Sequence, residues 1–199
     1  MFLDKPDQHE LRQGDVIEGL YYSTLQSTRL LLLGEIDRAR QADNSDGVPL
    51  LAVAGAKGMM TAQVRVYTAP FIIVSQCCDL MLRQDNAGQT ISPRFLAALL
   101  RPVAAMAGRH QIEMLEKLRA NTLESFSNAY YIPKYSPLAD EYVADFTWLL
   151  TIPPDDYRLA LDGKILQMAD IERVKFKLKL AHFFGRATDE ERTAGIYPI

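Results

Sequence analysis

The sequence predicts an α+β fold: a small, strongly bent antiparallel sheet or barrel with helices appended, one of them C-terminal. Three observations carry this. Short segments rich in β-branched and aromatic residues, divided by Gly and Pro turn signals, fill the first three quarters of the chain. HQIEMLEKLRANTLESF places Ile112, Leu115, Leu118 and Thr122 on one helical face. Asp170 and Gly185 then bracket a stretch with the length and end residues of a second helix. With 199 residues, 48% hydrophobic and 24% charged, the chain suits one globular domain over 12–186, a polar arm over 1–11 and a tail over 187–199.

The elements follow in order. LRQGDVIEGLYYSTL is strand material around a Gly-Asp turn, and QADNSDGVP (41–49) is a loop by its Asp, Asn, Ser, Gly and Pro content. In TAQVRVYTAPFIIVSQCC, Ala62, Val64 and Val66 alternate with Gln63, Arg65 and Tyr67, and Pro70 splits the stretch into two strands. RQDNAGQTISP (83–93) is again a loop. FLAALLRPVAAM (95–106) fits a helix by propensity and a buried strand by its continuous apolar run. A helix spans the region near 110–127, with Glu113 and Lys117 as an i,i+4 pair on its outer side. EYVADFTWLLTIPP (141–154) is a strand ended by a Pro pair, and YYIPKYSP is its antiparallel neighbour.

Residues 174–180, VKFKLKL, alternate like a strand, but over 170–185 the helical template fits better. On helical angles Ile171, Val174, Leu178 and Ala181 form one apolar face, and Phe176, Leu180, Phe183 and Phe184 another. Lys175, Lys179, His182 and Arg186 fall in a basic stripe between them. Residues 164–186 hold six Lys or Arg against Asp170 and Glu172. Such a stripe is either solvated cover with buried stems or a contact for an acidic or nucleic-acid partner.

Charge excludes a broad nucleic-acid footprint: the formal net charge is -3, and residues 1–100 carry 9 basic and 11 acidic groups against 13 and 14 over 101–199. No apolar run reaches the ~18 residues of a membrane span, and the start lacks a secretory pattern. The two cysteines, Cys77 and Cys78, are adjacent and cannot build a disulfide framework, so a reduced, cytoplasmic setting is expected.

Chemistry concentrates in FIIVSQCCDL (71–80). Ser75, Gln76, Cys77, Cys78 and Asp79 put a nucleophile, an amide, two thiols and a carboxylate at a strand end. On a continuing strand Ser75, Cys77 and Asp79 would share one face. Two readings stand: an active or ligand-binding edge, or a buried Cys acting as a small hydrophobe with Asp79 turning the loop. A catalytic thiol needs a base, and His110 and His182 are the histidines outside the arm. No metal-ligand spacing, phosphate-binding glycine loop or serine-hydrolase elbow occurs, so neither metal nor cofactor is expected.

Gly14-Asp15-Val16-Ile17, then FIIVSQ leading into Cys78-Asp79, an ADF strand ending TIP and a closing HFFGR resemble a group of uncharacterised bacterial proteins with a GD(I/V)…SQxCD…FFxR pattern. The N-terminal part is similar to the SH3-like barrel of the PemK/MazF toxin family. The first resemblance spans roughly 12–186; the second covers Gly14–Ile17 and Phe71–Ser75. Together they imply a strand over FLAALLRPV (95–103) and a barrel. The toxin family's nuclease chemistry rests on an Arg before the Pro of that central strand, and here Ala69 precedes Pro70. The expected function is a non-catalytic protein-binding module of a bacterial multi-component system, in a mobile-element or phage-defence setting, with nucleic acid as another partner class and no membrane. The alternative is a PemK/MazF-like endoribonuclease or a thiol enzyme using Cys78.

Overall fold

The computed structural model describes residues 1–23, 51–54, 60–63, 66–81, 94–106, 111–123 and 125–185. In chain order the elements are β1 (Val16–Ile17), β2 (Tyr21–Ser23), β3 (Leu51–Ala54), β4 (Met60–Gln63), β5 (Val66–Thr68), β6 (Phe71–Ile73) and α1 (Cys77–Leu80). They continue as β7 (Phe95–Pro102), α2 (Gln111–Arg119), β8 (Ala129–Ile132), β9 (Tyr142–Ile152), α3 (Tyr157–Asp162), β10 (Lys164–Leu166) and α4 (Asp170–Phe184). The chain divides into two units, Met1–Leu20 with Ala69–Ile199, and Tyr21–Thr68. The smaller unit holds two antiparallel pairs, β2 with β5 and β3 with β4.

The larger unit is built on one antiparallel sheet of order β10-β1-β6-β7-β9-β8. An α+β architecture with a C-terminal helix is therefore what forms. The barrel is corrected: the sheet is open, with β10 and β8 as its edges. Beside β10 lie the first residues of the chain. Phe2 bridges Met168, Leu3 N–H donates to Gln167 O at 2.9 Å, and Ala169 N–H donates to Met1 O at 2.9 Å. The expected polar arm thus begins with a buried Phe2 docked on the sheet edge.

Residues 95–102 form a strand, as the resemblance implied. Its side chains alternate between faces: Ala98 and Leu100 join the core beneath α4, while Phe95 meets Tyr157 of α3 with ring centroids 6.1 Å apart. The helix expected near 110–127 is present as α2 but stops at Arg119. Two residues on, Asn121 takes φ 50 and exchanges side-chain bonds of 2.7 and 2.8 Å with the Tyr131 backbone, which turns the chain into β8. Its Lys117–Glu113 pair is formed at 2.7 Å. The loops read at 41–49 and 83–93 lie outside the described residues.

Between the pairings Ala98↔Leu149 and Leu99↔Asp145, β9 carries Phe146, Thr147 and Trp148 as a bulge. The Asp145 carboxylate holds it, accepting from Thr147 N–H at 3.0 Å and Thr147 Oγ1 at 2.6 Å. Phe146 turns inward and packs its ring against Phe176 and Phe183 of α4, at 5.7 and 5.6 Å.

Among the described residues one fully buried charged pair lies inside this unit. Lys164 Nζ sits 2.7 Å from Asp15 Oδ2, with both side chains buried. Oδ2 also accepts from Arg12 N–H at 2.7 Å, and Nζ also donates to Glu10 O at 2.9 Å. Asp15 Oδ1 has no hydrogen-bond partner among the described residues. Gly14, at φ 87, makes the turn that carries Asp15 inward. Burial pushes the Asp15 carboxyl up to about 6, against the pull of Lys164 and Arg12. The folded chain therefore binds this proton more tightly than the unfolded chain does, and the group's contribution to stability falls as pH rises through the window ending near 6. Lys164→Met should cost about 3–5 kcal/mol at pH 7.5, because it strands a buried carboxylate. Urea unfolding should show that deficit shrinking at pH 5, where Asp15 takes a proton, and largely recovered in D15N/K164M. A deficit that does not vary with pH would remove the charge from the explanation.

Candidate functional site

The strand alternation expected through the SQCCD segment is corrected. β6 stops at Ile73, and Cys77, Cys78 and Asp79 enter the single turn α1. Ser75 explains the stop: its hydroxyl accepts from Leu96 N–H at 2.9 Å, and its own N–H donates to Leu96 O at 3.3 Å. That oxygen is thereby tied to β7, and Ser75 acts as a fastener at the strand end. Gln76 precedes the turn, and its carbonyl accepts from Asp79 N–H at 3.0 Å. Cys77 is half-buried and Cys78 exposed. The Cys78 thiol reaches Gln76 Oε1 and Asp79 Oδ1 at 4.0 and 3.9 Å, contacts at the outer limit for sulfur.

Both cysteines line two concavities. One, of about 420 Å³, has His9, Glu10, Arg12 and Tyr157 on its other walls. The second, of about 320 Å³, is closed by Gln13 and Gln76 and, from α4, by Arg173, Val174 and Lys177. The Glu10–Asp15 loop serves both: Leu11 N–H donates to Tyr157 Oη at 2.9 Å, and Gln13 Nε2 donates to Val74 O at 2.6 Å. His9 was passed over by sequence reasoning because residues 1–11 read as an arm; the buried Asp15–Lys164 tie is what brings that segment to the thiols. Among the described residues no group of three or more His, Cys, Asp and Glu is arranged to hold a metal ion. Nor is any helix there long and apolar enough to cross a membrane.

The basic stripe is also redrawn. α4 begins at Asp170, whose carboxylate pairs with Arg173 at 2.7 Å and does not cap the helix. Lys179 is only 1% exposed; its Nζ donates to Thr122 O and, at 2.5 Å, to Ser125 O. It clamps α4 to the loop after α2 and is no part of a solvent-facing edge. Lys175 is exposed and paired with Glu172 at 2.6 Å, and His182 is exposed near the helix end. Arg186 lies outside the described residues. The α4 cations that border the cysteine turn are instead Arg173 and Lys177.

The two apolar faces of α4 have different fates, and the second is corrected at Phe184, which is 57% exposed at the helix end. Phe176, Leu180 and Phe183 pack into the sheet core, where the Phe176 ring lies 5.0 Å from that of Tyr130. Ile171, Val174 and Leu178 stay 74%, 56% and 54% exposed. Their spacing of three and four residues makes them one ridge on the outer surface. The chain matches no protein-family model and no curated protein. Fold and site together define an α+β protein with a thiol-bearing turn between two clefts and an uncovered apolar ridge.

Charge reversal separates the lysines. K175E and K177E should unfold at unchanged denaturant midpoints, since exposed substitutions usually shift stability by less than about 0.5 kcal/mol. K179E should lose about 3 kcal/mol or more, by removing charge-assisted bonds and burying a carboxylate in their place. Equal midpoints for all three would contradict the buried clamp.

Proposed function

We propose that this chain is a non-catalytic interaction module that docks a protein partner on the outward face of α4. The carrying observation is the ridge of Ile171, Val174 and Leu178 held in water on a helix whose other side is committed to the core through Phe176, Leu180 and Phe183. Full burial of such a side chain from full exposure is worth roughly 1.5–3 kcal/mol, and with half to three quarters of each still exposed, three in one row form a ready interface centre. The resemblance to bacterial GD(I/V)…SQxCD…FFxR proteins supports a setting in a multi-component system, of the mobile-element or phage-defence kind. The tied Ser75 hydroxyl and the absence, among the described residues, of an imidazole hydrogen-bonded to either thiol support a binding role for the cysteine turn.

One observation favours a second reading, a thiol enzyme using Cys78: His9 opens into the same cleft as both cysteines. A nuclease of the PemK/MazF kind has less support, because Ala69 stands where that family carries its Arg.

A photo-cross-linking residue at Leu178, in cells carrying the native gene, should give one defined protein adduct. The same residue at Leu159, an exposed apolar position on α3, should not. Identical products from both positions, or none at Leu178, would defeat the docking reading. For the thiol reading, iodoacetamide should modify Cys78 at the same rate in the native protein and in H9A at pH 7. A slowing of about tenfold in H9A would instead make His9 the partner of a reactive thiol.

A further inference from the structure

Resting on the docking reading above, we infer that the partner of the α4 ridge is an acidic amphipathic segment, its apolar side chains on Ile171, Val174 and Leu178 and its carboxylates beside Lys177, Arg173 and Lys175.

The charge distribution along α4 selects this chemistry. The two carboxylates of the helix, Asp170 and Glu172, lie in its first turn and are already engaged by Arg173 and Lys175. From Arg173 to Phe184 the helix contains no acidic residue. On helical angles Arg173 and Lys177 flank the exposed ridge on one side, and Lys175 and His182 on the other. Lys177 has no ion pair among the described residues and borders the cleft of about 320 Å³, whose lining residues include no carboxylate. The other wall of that cleft includes Gln13, whose amide is tied to Val74 O, and the exposed Gln76, whose amide can donate to an oxyanion. Val174 belongs both to the cleft and to the ridge, so an apolar contact and an anionic contact can be made by residues one turn apart in a bound peptide.

A basic or neutral partner would leave this rim unmatched, and like charges facing each other disfavour the wrong partner. A nucleic acid would use the cations but not the ridge, which forms the centre of the surface. The whole chain, at net charge -3, also repels polyanions at long range. A short acidic segment avoids most of that repulsion and presents its carboxylates only where the cations stand.

The probe is a phage-displayed library of random 12-residue peptides, selected on the folded full-length protein. Enriched peptides should carry Asp or Glu beside Leu, Ile or Phe at spacings of three and four. Their affinity, read by fluorescence anisotropy, should fall about tenfold or more in R173E/K177E and in V174D/L178D, and should weaken as salt rises. Matching circular dichroism of both variants to the native protein separates lost binding from lost folding. Enriched peptides without acidic bias, or binding that survives R173E/K177E, would overturn the acidic specificity while leaving the ridge as a docking surface. Peptides insensitive to V174D/L178D would overturn the ridge itself, and with it the docking reading. Tighter binding of a mixed-sequence single-stranded RNA 12-mer than of any selected peptide would assign the cations to nucleic acid instead.

Discussion

Phe176 sets the rotation of α4, and that rotation decides what the protein shows to its surroundings. Its ring is fully buried and meets Tyr130 and Phe146 nearly edge-on, at interplanar angles of 80° and 65°. Removing such a ring from a packed core costs about 3–5 kcal/mol, a large share of a small domain's stability. The helix cannot turn to hide Ile171, Val174 and Leu178 without withdrawing Phe176, Leu180 and Phe183. Lys179 reinforces the same rotation, since its two carbonyl acceptors lie in the loop after α2. The exposed ridge is thus a consequence of how the core is filled, and it stays exposed until another surface covers it.

The cysteine turn depends on a second internal tie. Asp15 and Lys164 join the Glu10–Asp15 loop to β10, and that loop walls both clefts beside Cys77 and Cys78. The bulge in β9 has a parallel role, because it sends Phe146 down into the α4 contact while leaving Trp148 outside, with Arg101 5.9 Å above its ring. In each case a polar group buried at some energetic cost fixes a local shape that apolar packing alone would leave free.

Much of the sheet was legible in the sequence because its signals are local. Pro70 and the β-branched run around it mark β5 and β6, and the apolar stretch before the Pro pair marks β9. The spacing between Asp170 and Gly185 marks α4 to within a residue. What was not legible depends on contacts distant in sequence. Lys179 reads as one more solvated lysine until the carbonyls of Thr122 and Ser125 are in place. His9 reads as part of an arm until Phe2 and Asp15 anchor that segment. The strand β10 is only Lys164–Leu166, too short for a periodic signal, and its alignment is set by pairing with β1. The end of β6 and the turn α1 were misread because Ser75 bonds across to Leu96, which no pattern within 71–80 reveals.

The account is tested most directly by hydroxyl-radical footprinting of the protein with its bound partner peptide, compared with the free protein. Docking on α4 requires that Ile171, Val174 and Leu178 become protected together while Trp148, exposed on the β9 bulge, keeps its reactivity. Protection at Trp148 with an unchanged α4 ridge would contradict the account.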